Sequence, residues 1–282
     1  ALGAIALRLW SRPRSRSVVL YLLVVLLLAV ASFVPGADDA ALARLDRNAF
    51  DAQMQVLRES WPHPIAEDVV LVGIDEGSEE IFIEPLALWH RHFARLLGAL
   101  GEARPRAVGV DIVPPERSYD DIVPGYDLAL FRAIRDLRQK TAVVFALTVD
   151  REGRAARVHP TFLRVIGEDG LGVDQQLQDP DSVNRRFSEA ELGKSKPVKT
   201  LAGQMLRGVG IVPQAGYIDY SVGPRVEYIP MQDVIAWAER GEKARLEKAF
   251  AGRMVIVGYV MKRADRWELP VQLIDIDPGR AD

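Results

Sequence analysis

The sequence predicts a three-layer α/β domain, in which a mostly parallel sheet has helices on both faces, preceded by one transmembrane helix. Residues 69–76 and 106–113 are apolar runs of strand length, rich in Val and Ile. Such runs are typical of strands covered on both faces, as in parallel sheets. Each run contains an aspartate where its strand should end, Asp75 and Asp111. Because ligands of parallel sheets bind at the carboxyl ends of the strands, these aspartates mark the predicted pocket.

Residues 17–34 contain no charged residue and are dominated by Val and Leu. This eighteen-residue run is about long enough to span a bilayer as a helix. A signal peptide is the alternative, but the run is longer than a typical signal core and lacks a small-x-small cleavage site, so an uncleaved anchor is favoured. Arginines precede the run and acidic residues follow it, which places the basic residues 1–16 in the cytoplasm. The sequence therefore predicts an inner (plasma) membrane protein whose main domain is periplasmic or extracellular.

The composition excludes several classes of function. The net charge is −3, and residues 1–34 carry four arginines and no acid, so residues 35–282 carry −7. This acidic part argues against nucleic acid as a partner. The chain has no cysteine, which excludes disulfides, thiolate nucleophiles and cysteine-based zinc sites. The usual hydrolase motifs are absent as well.

The elements before residue 150 follow a regular order. Apolar residues at three- and four-residue steps predict an amphipathic helix over 40–60, either a stalk from the membrane or one more packed helix. The first strand should lead through an irregular acidic loop at 76–84 into a helix at 88–100 and then the second strand, forming a right-handed βαβ unit with parallel strands. A second unit comprises a polar loop, a helix and a strand at 113–124, 127–137 and 141–149.

The second half of the chain is less regular. Residues 150–197 predict a hairpin-rich insertion over one edge of the sheet. Regular structure returns after it, with predicted helices at 198–206, 231–239 and 243–250 and strands at 217–220, 226–229 and 253–259. The chain begins at Ala1 and ends at Asp282 without an obvious terminal element, so we expect a longer protein in which residues 274–282 start a further C-terminal region.

Several stretches, taken together, carry a resemblance to a known family. The stretches are 69–76, Pro85-Leu-Ala-Leu-Trp89-His-Arg91, 107–115, Asp127-Leu-Ala-Leu, Asp181-Ser-Val-Asn-Arg185-Arg186, and Gly252-Arg-Met-Val-Ile-Val-Gly258 followed by Asp265 and Leu269-Pro270-Val271. In this order, residues 37–273 resemble the second class of CHASE domains, the cyclase- and histidine-kinase-associated sensing extracellular domains. The chain departs from the family pattern at Leu86, where the first Trp-Pro of a Trp-Pro-Trp-Pro-Arg-like run is missing.

The resemblance implies an extracytoplasmic sensory module on an N-terminal anchor. In the family this module is usually followed by further membrane helices and a cytoplasmic nucleotide cyclase or kinase. The expected partner is accordingly an unknown small ligand or an envelope protein, and a homodimer is an open alternative.

Charged residues at the predicted sheet edge are the candidate ligand site: Asp75, Glu76, Arg91, Asp111, Asp127 and Asp265. If the first two strands are neighbours, their carboxylates could hold a divalent cation, with Asp75 and Asp111 as ligands, or a cationic molecule. The alternative, which we favour, is that each aspartate caps a loop or helix or pairs with Arg91. No other cofactor is expected.

Other polar residues have a weaker claim to the site. Arg91 could pair with these carboxylates or with an anionic ligand. The resemblance alone would bring Asp265, Arg185 and Arg186 to the same rim. The four histidines are interpreted as surface or locally bonded residues.

The sequence leaves three functions to weigh. The first is the sensing domain of a membrane-anchored signalling protein, the second an envelope interaction scaffold with the same domain, and the third a carboxylate-dependent periplasmic enzyme. No residue is predicted to be catalytic.

Overall fold

The computed structural model describes residues 21–22, 24–26, 39–64, 66–120, 122–150, 154–192, 198–223, 227–261 and 268–271. The chain forms two compact units, residues 1–56 and 57–282. Residues 21–22 and 24–26 of the first unit are helical. Helix α1 (Asp39–Ser60) starts in this unit and matches the helix predicted over 40–60. The rest of the predicted transmembrane segment 17–34 lies outside the described residues. No helix among the described residues is both long and apolar enough to cross a membrane.

The second unit is built from short strands and helices that are mixed along the chain. In chain order they are β1 (His63–Pro64), β2 (Val69–Ile74), α2 (Glu76–Ile81), α3 (His90–Ala103), β3 (Ala107–Val110), α4 (Leu128–Arg138), β4 (Ala142–Leu147), α5 (Pro160–Ile166), β5 (Leu171–Val173), β6 (Arg186–Phe187), α6 (Glu189–Leu192), α7 (Leu201–Gly208), β7 (Gly216–Tyr217), β8 (Val222–Gly223), β9 (Tyr228–Pro230), α8 (Met231–Glu239), α9 (Lys243–Phe250) and β10 (Met254–Tyr259). Short 3-10 turns occupy Leu86–Leu88 and Glu168–Gly170.

Six strands form one parallel sheet in the order β5-β4-β3-β10-β2-β9, which confirms the predicted α/β fold with a mostly parallel sheet. The first two predicted strands, β2 and β3, are parallel as expected, but they are not neighbours, because β10 lies between them and pairs with both. Val255 and Val257 of β10 are completely buried. Both belong to the core on one face of the sheet, and Met254 and Ile256 pack, partly buried, against a second core cluster on the other face. Cover on both faces is typical of a strand inside a parallel sheet.

Helices cover both faces of this sheet. On one face, α3, α4, α5, α8 and α9 share a core that includes Leu96, Phe162 and Phe250. On the other face, Met205 of α7 packs against Ala107 and Val144. The sheet is therefore the middle of three layers.

Two segments differ from their predicted structure. The acidic segment 76–84 contains helix α2, because the Asp75 carboxylate caps that helix by accepting from the Ser78 backbone N at 2.9 Å. The insertion 150–197 contributes α5 and the parallel edge strand β5 rather than mainly hairpins. Its antiparallel pairing, within the described residues, is limited to β6 with β7 and a bridge from Val149 to Ala155.

Candidate functional site

A cavity of about 480 Å³ lies at the carboxyl edge of the sheet. Its floor is formed by strand residues Val110, Phe145 and Val257, and its walls by the start of α3 and the loop that follows β3. This volume falls in the range of small-molecule pockets. Its position is the one where parallel sheets bind their ligands.

A buried histidine is part of the cavity wall. His90 is only 4% exposed, and its Nδ1 lies 2.8 Å from Oδ1 of Asp127, which is equally buried. The other oxygen, Oδ2, accepts hydrogen bonds from Ser118 Oγ at 2.8 Å and from the Tyr119 backbone N at 3.1 Å. Because a carboxylate only accepts hydrogen bonds, Nδ1 of His90 is the donor, which leaves Nε2 as the other functional atom of the ring.

Aromatic rings surround the imidazole. The ring centroids of Tyr119, Tyr126 and Phe162 lie 5.4, 5.3 and 5.9 Å from that of His90. Burial raises the pKa of Tyr126, whose hydroxyl donates to the Leu88 carbonyl. These contacts hold the imidazole in one orientation at the cavity wall.

The arrangement around His90 is not that of an activated nucleophile. In a Ser-His-Asp triad the serine hydroxyl contacts the imidazole nitrogen that faces away from the aspartate. Here Ser118 donates to Asp127 instead. The polar cluster therefore orients a side chain at a largely apolar cavity, which is suited to binding.

Asp75, the first of the predicted site residues, serves its own helix. Besides capping through Ser78, its carboxylate accepts from Gln232 Nε2 at 3.2 Å and lies 3.4 Å from the Tyr228 hydroxyl. Burial, and then the charge of Asp75, raise the pKa of Tyr228. The favoured alternative of a structural cap is thus observed for Asp75.

Asp111 lies well apart from Asp75. The register aligns Asp111 with Gly258 and Gly73, and β10 separates the two strands that end on the aspartates. Two strand spacings amount to about 10 Å, so the two aspartates do not follow neighbouring strands, and a cation held by both stays a prediction. Among the described residues, no group of three His, Asp or Glu side chains could hold a metal ion. Asp265 lies outside the described residues, so its place beside the sheet edge stays a prediction.

The remaining candidates are also dispersed. Glu76 is exposed in the first turn of α2, where its charge suits the helix N-terminus. Arg91 is exposed on α3, with its guanidinium 5.6 Å from the centre of the Tyr126 ring. Among the described candidates, Asp127 supports the cavity wall through its contact with His90.

Arg185 is buried in an ion-pair cluster. Its Nη1 lies 2.9 Å from Asp179 Oδ2 and 2.8 Å from Asp181 Oδ1, and the Arg185 side chain is 2% exposed. Arg186 shares Asp179 at 2.9 Å. Both arginines pair with carboxylates of their own segment, and their expected place at one rim with Asp265 stays a prediction.

The Arg185 cluster predicts how the stability of the domain changes at acid pH. Hydrogen bonds from Arg185 lower the pKa of Asp181 from 3.8 to about 2. A carboxyl whose folded pKa is depressed adds stability above its unfolded pKa, and that stability is lost as the pH falls through the folded value. We expect the free energy of unfolding to decline between pH 4 and 2, and to decline less steeply in Asp181→Asn. Urea unfolding of both proteins across this range measures the difference, and parallel curves would contradict it.

His90 is the site residue that the sequence analysis missed. The interpretation of all four histidines as surface or locally bonded is wrong for His90, which is buried and pairs with a residue 37 positions away. The available signal was its position in the stripe that continues through Phe93, Leu97 and Leu100, at helical spacing on the core face of α3.

Comparison with known protein families matches residues 20–279 to the CHASE2 domain. Searches of curated proteins and of solved structures found no match. The family match covers nearly the whole chain and agrees with the resemblance carried by its motifs. The chain therefore belongs to the CHASE2 domain family.

Proposed function

We propose that this domain is the extracytoplasmic sensor of a membrane-anchored signalling protein, and that the cavity beside His90 is its sensory site. Membership of the CHASE2 family, whose domains are extracellular sensory domains of signalling proteins, carries the proposal. The cavity supports it, because an apolar pocket with a few placed polar groups is the usual form of a small-molecule site. A cytoplasmic cyclase or kinase is the output that we propose from the family resemblance.

The cavity wall is formed by two different elements of the domain. It combines the start of α3 with the loop between β3 and α4. A ligand that contacts both would favour the arrangement that binds it more tightly. We propose that this shift, in the domain or in a homodimer of it, moves the anchor formed by residues 17–34.

The proposed orientation is testable because the natural chain has no cysteine. Val212→Cys places a single thiol on a side chain that is 72% exposed in the wild type. Ser15→Cys is the matched variant on the predicted cytoplasmic side. In spheroplasts, a membrane-impermeant maleimide is expected to label Val212→Cys fully and to label Ser15→Cys only after the membrane is permeabilised. Labelling of Ser15→Cys alone, or protection of both, would overturn the proposed sensor.

A further inference from the structure

The cavity combines an apolar lining with one deeply buried polar ring, and this combination points to a class of ligand. We propose that it binds a small, largely apolar molecule with a single hydroxyl group, which hydrogen-bonds Nε2 of His90. This inference rests on the proposed sensory site and specifies its chemistry.

The lining determines the body of the ligand. Phe93, Leu97, Ile112, Val113 and Pro114 all contribute apolar side chains to the cavity. Burial of apolar surface against such a lining stabilises a complex by roughly 25 cal/mol per Å² removed from water, whereas a buried polar group costs free energy unless it is hydrogen-bonded. The bulk of the ligand should therefore be hydrocarbon, aliphatic or aromatic.

His90 determines the polar group. Its Nδ1 is engaged with Asp127 at 2.8 Å, and within the described part of the chain no residue hydrogen-bonds its Nε2. The ring is 4% exposed and lies in the cavity wall. A hydroxyl can donate to the Nε2 lone pair of a neutral imidazole and can accept from the Nε2–H of an imidazolium. It therefore satisfies this atom in either protonation state.

The surrounding charges disfavour an anionic ligand group. The Asp127 carboxylate lies directly behind the imidazole and would repel a ligand carboxylate placed at Nε2. Glu116 and Arg117 also line the cavity, but both are exposed and opposite in sign, so they give little net preference for charge. A neutral hydroxyl is not repelled by the Asp127 carboxylate.

Three probes of one shape test this inference: 2-naphthol, naphthalene and 2-naphthoate. Binding is measured by equilibrium dialysis on the full chain in lipid nanodiscs, with nanodiscs that lack protein subtracted. We expect 2-naphthol to bind about five-fold more tightly than naphthalene, the effect of one net hydrogen bond, and 2-naphthoate to bind weakest. Ala87→Trp, at the cavity wall, is expected to abolish binding of all three probes.

Two substitutions of His90 test the proposed hydrogen bond between the ligand hydroxyl and Nε2. His90→Asn keeps an amide donor for Asp127 but has no group at the position of Nε2, so the ratio of 2-naphthol affinity to naphthalene affinity should fall from about five-fold to about one. His90→Gln carries an amide that reaches the position of Nε2 and should retain part of the preference. The inference is overturned if 2-naphthol does not bind, if 2-naphthoate binds tighter, or if His90→Asn keeps the five-fold preference. The cysteine labelling does not depend on ligand binding, so it tests the proposed extracytoplasmic sensor separately from the proposed ligand.

Discussion

Replacing Arg185 with methionine is expected to destabilise the second unit by about 3 kcal/mol, because it removes the buried cation that pairs with both Asp179 and Asp181. Among the described residues, this leaves Asp179 with Arg186 alone. The side chain of Asp179, whose carboxylate lies 2.9 Å from Arg185 Nη1, is 8% exposed. Asp181 accepts from both terminal nitrogens of the same guanidinium, at 2.8 and 2.9 Å. Methionine is of similar length and fills the space, so the loss is mainly electrostatic. Urea unfolding of the full chain at neutral pH measures it.

An exposed arginine provides the matched control. Arg135 pairs with Asp136 at 2.7 Å, but both side chains are more than half exposed. Such surface pairs contribute about 0–1 kcal/mol, so Arg135→Met should change the free energy of unfolding little. Adding Asp179→Leu to Arg185→Met should recover part of the lost stability, since it removes the buried carboxylate that has lost one of its arginine partners. Equal effects of the two single arginine substitutions would show that the buried cluster does not stabilise the domain.

Elements whose apolar pattern is local could be predicted closely from the sequence. Helices Met231–Glu239 and Lys243–Phe250 have the predicted bounds, and strand Val69–Ile74 is nearly so. The place of β10 between β2 and β3 could not be predicted, because strand order depends on which buried faces fit together and not on any one segment. Helix Glu76–Ile81 was missed because its stability comes from the Asp75 cap rather than from an apolar stripe.

The candidate site was predictable in place but not in composition. The carboxyl edge of the sheet follows from the parallel fold alone, and the cavity lies there. The same rule led to the prediction that the aspartates at the strand ends form the site. Asp75 instead caps a helix, and Asp111 lies about two strand spacings from it. His90 and Asp127 are separated by 37 residues and meet only because α3 and α4 pack side by side. Contacts of that kind depend on tertiary structure, which a single sequence does not display.

Replacing Asp127 with alanine is expected to loosen the cavity wall and to cost about 3 kcal/mol of stability. The carboxylate accepts hydrogen bonds from His90 Nδ1, Ser118 Oγ and Tyr119 N, and alanine would leave these donors without their acceptor. A hydrogen bond to a charged group contributes about 1.5–3 kcal/mol, and three that share one carboxylate are not additive. Urea unfolding measures the cost, and amide hydrogen exchange at Tyr119, expected to accelerate, locates it in the loop after β3.

Asp136→Ala on the same helix is the control, because Asp136 is exposed and pairs only with its exposed neighbour Arg135 among the residues described. It should leave both the unfolding free energy and the Tyr119 exchange rate nearly unchanged. If Asp127→Ala unfolds at the wild-type urea concentration with wild-type exchange at Tyr119, the carboxylate does not organise the wall. In that case the fixed orientation of His90, on which recognition of a ligand hydroxyl depends, would have to come from the surrounding rings of Tyr119, Tyr126 and Phe162 alone.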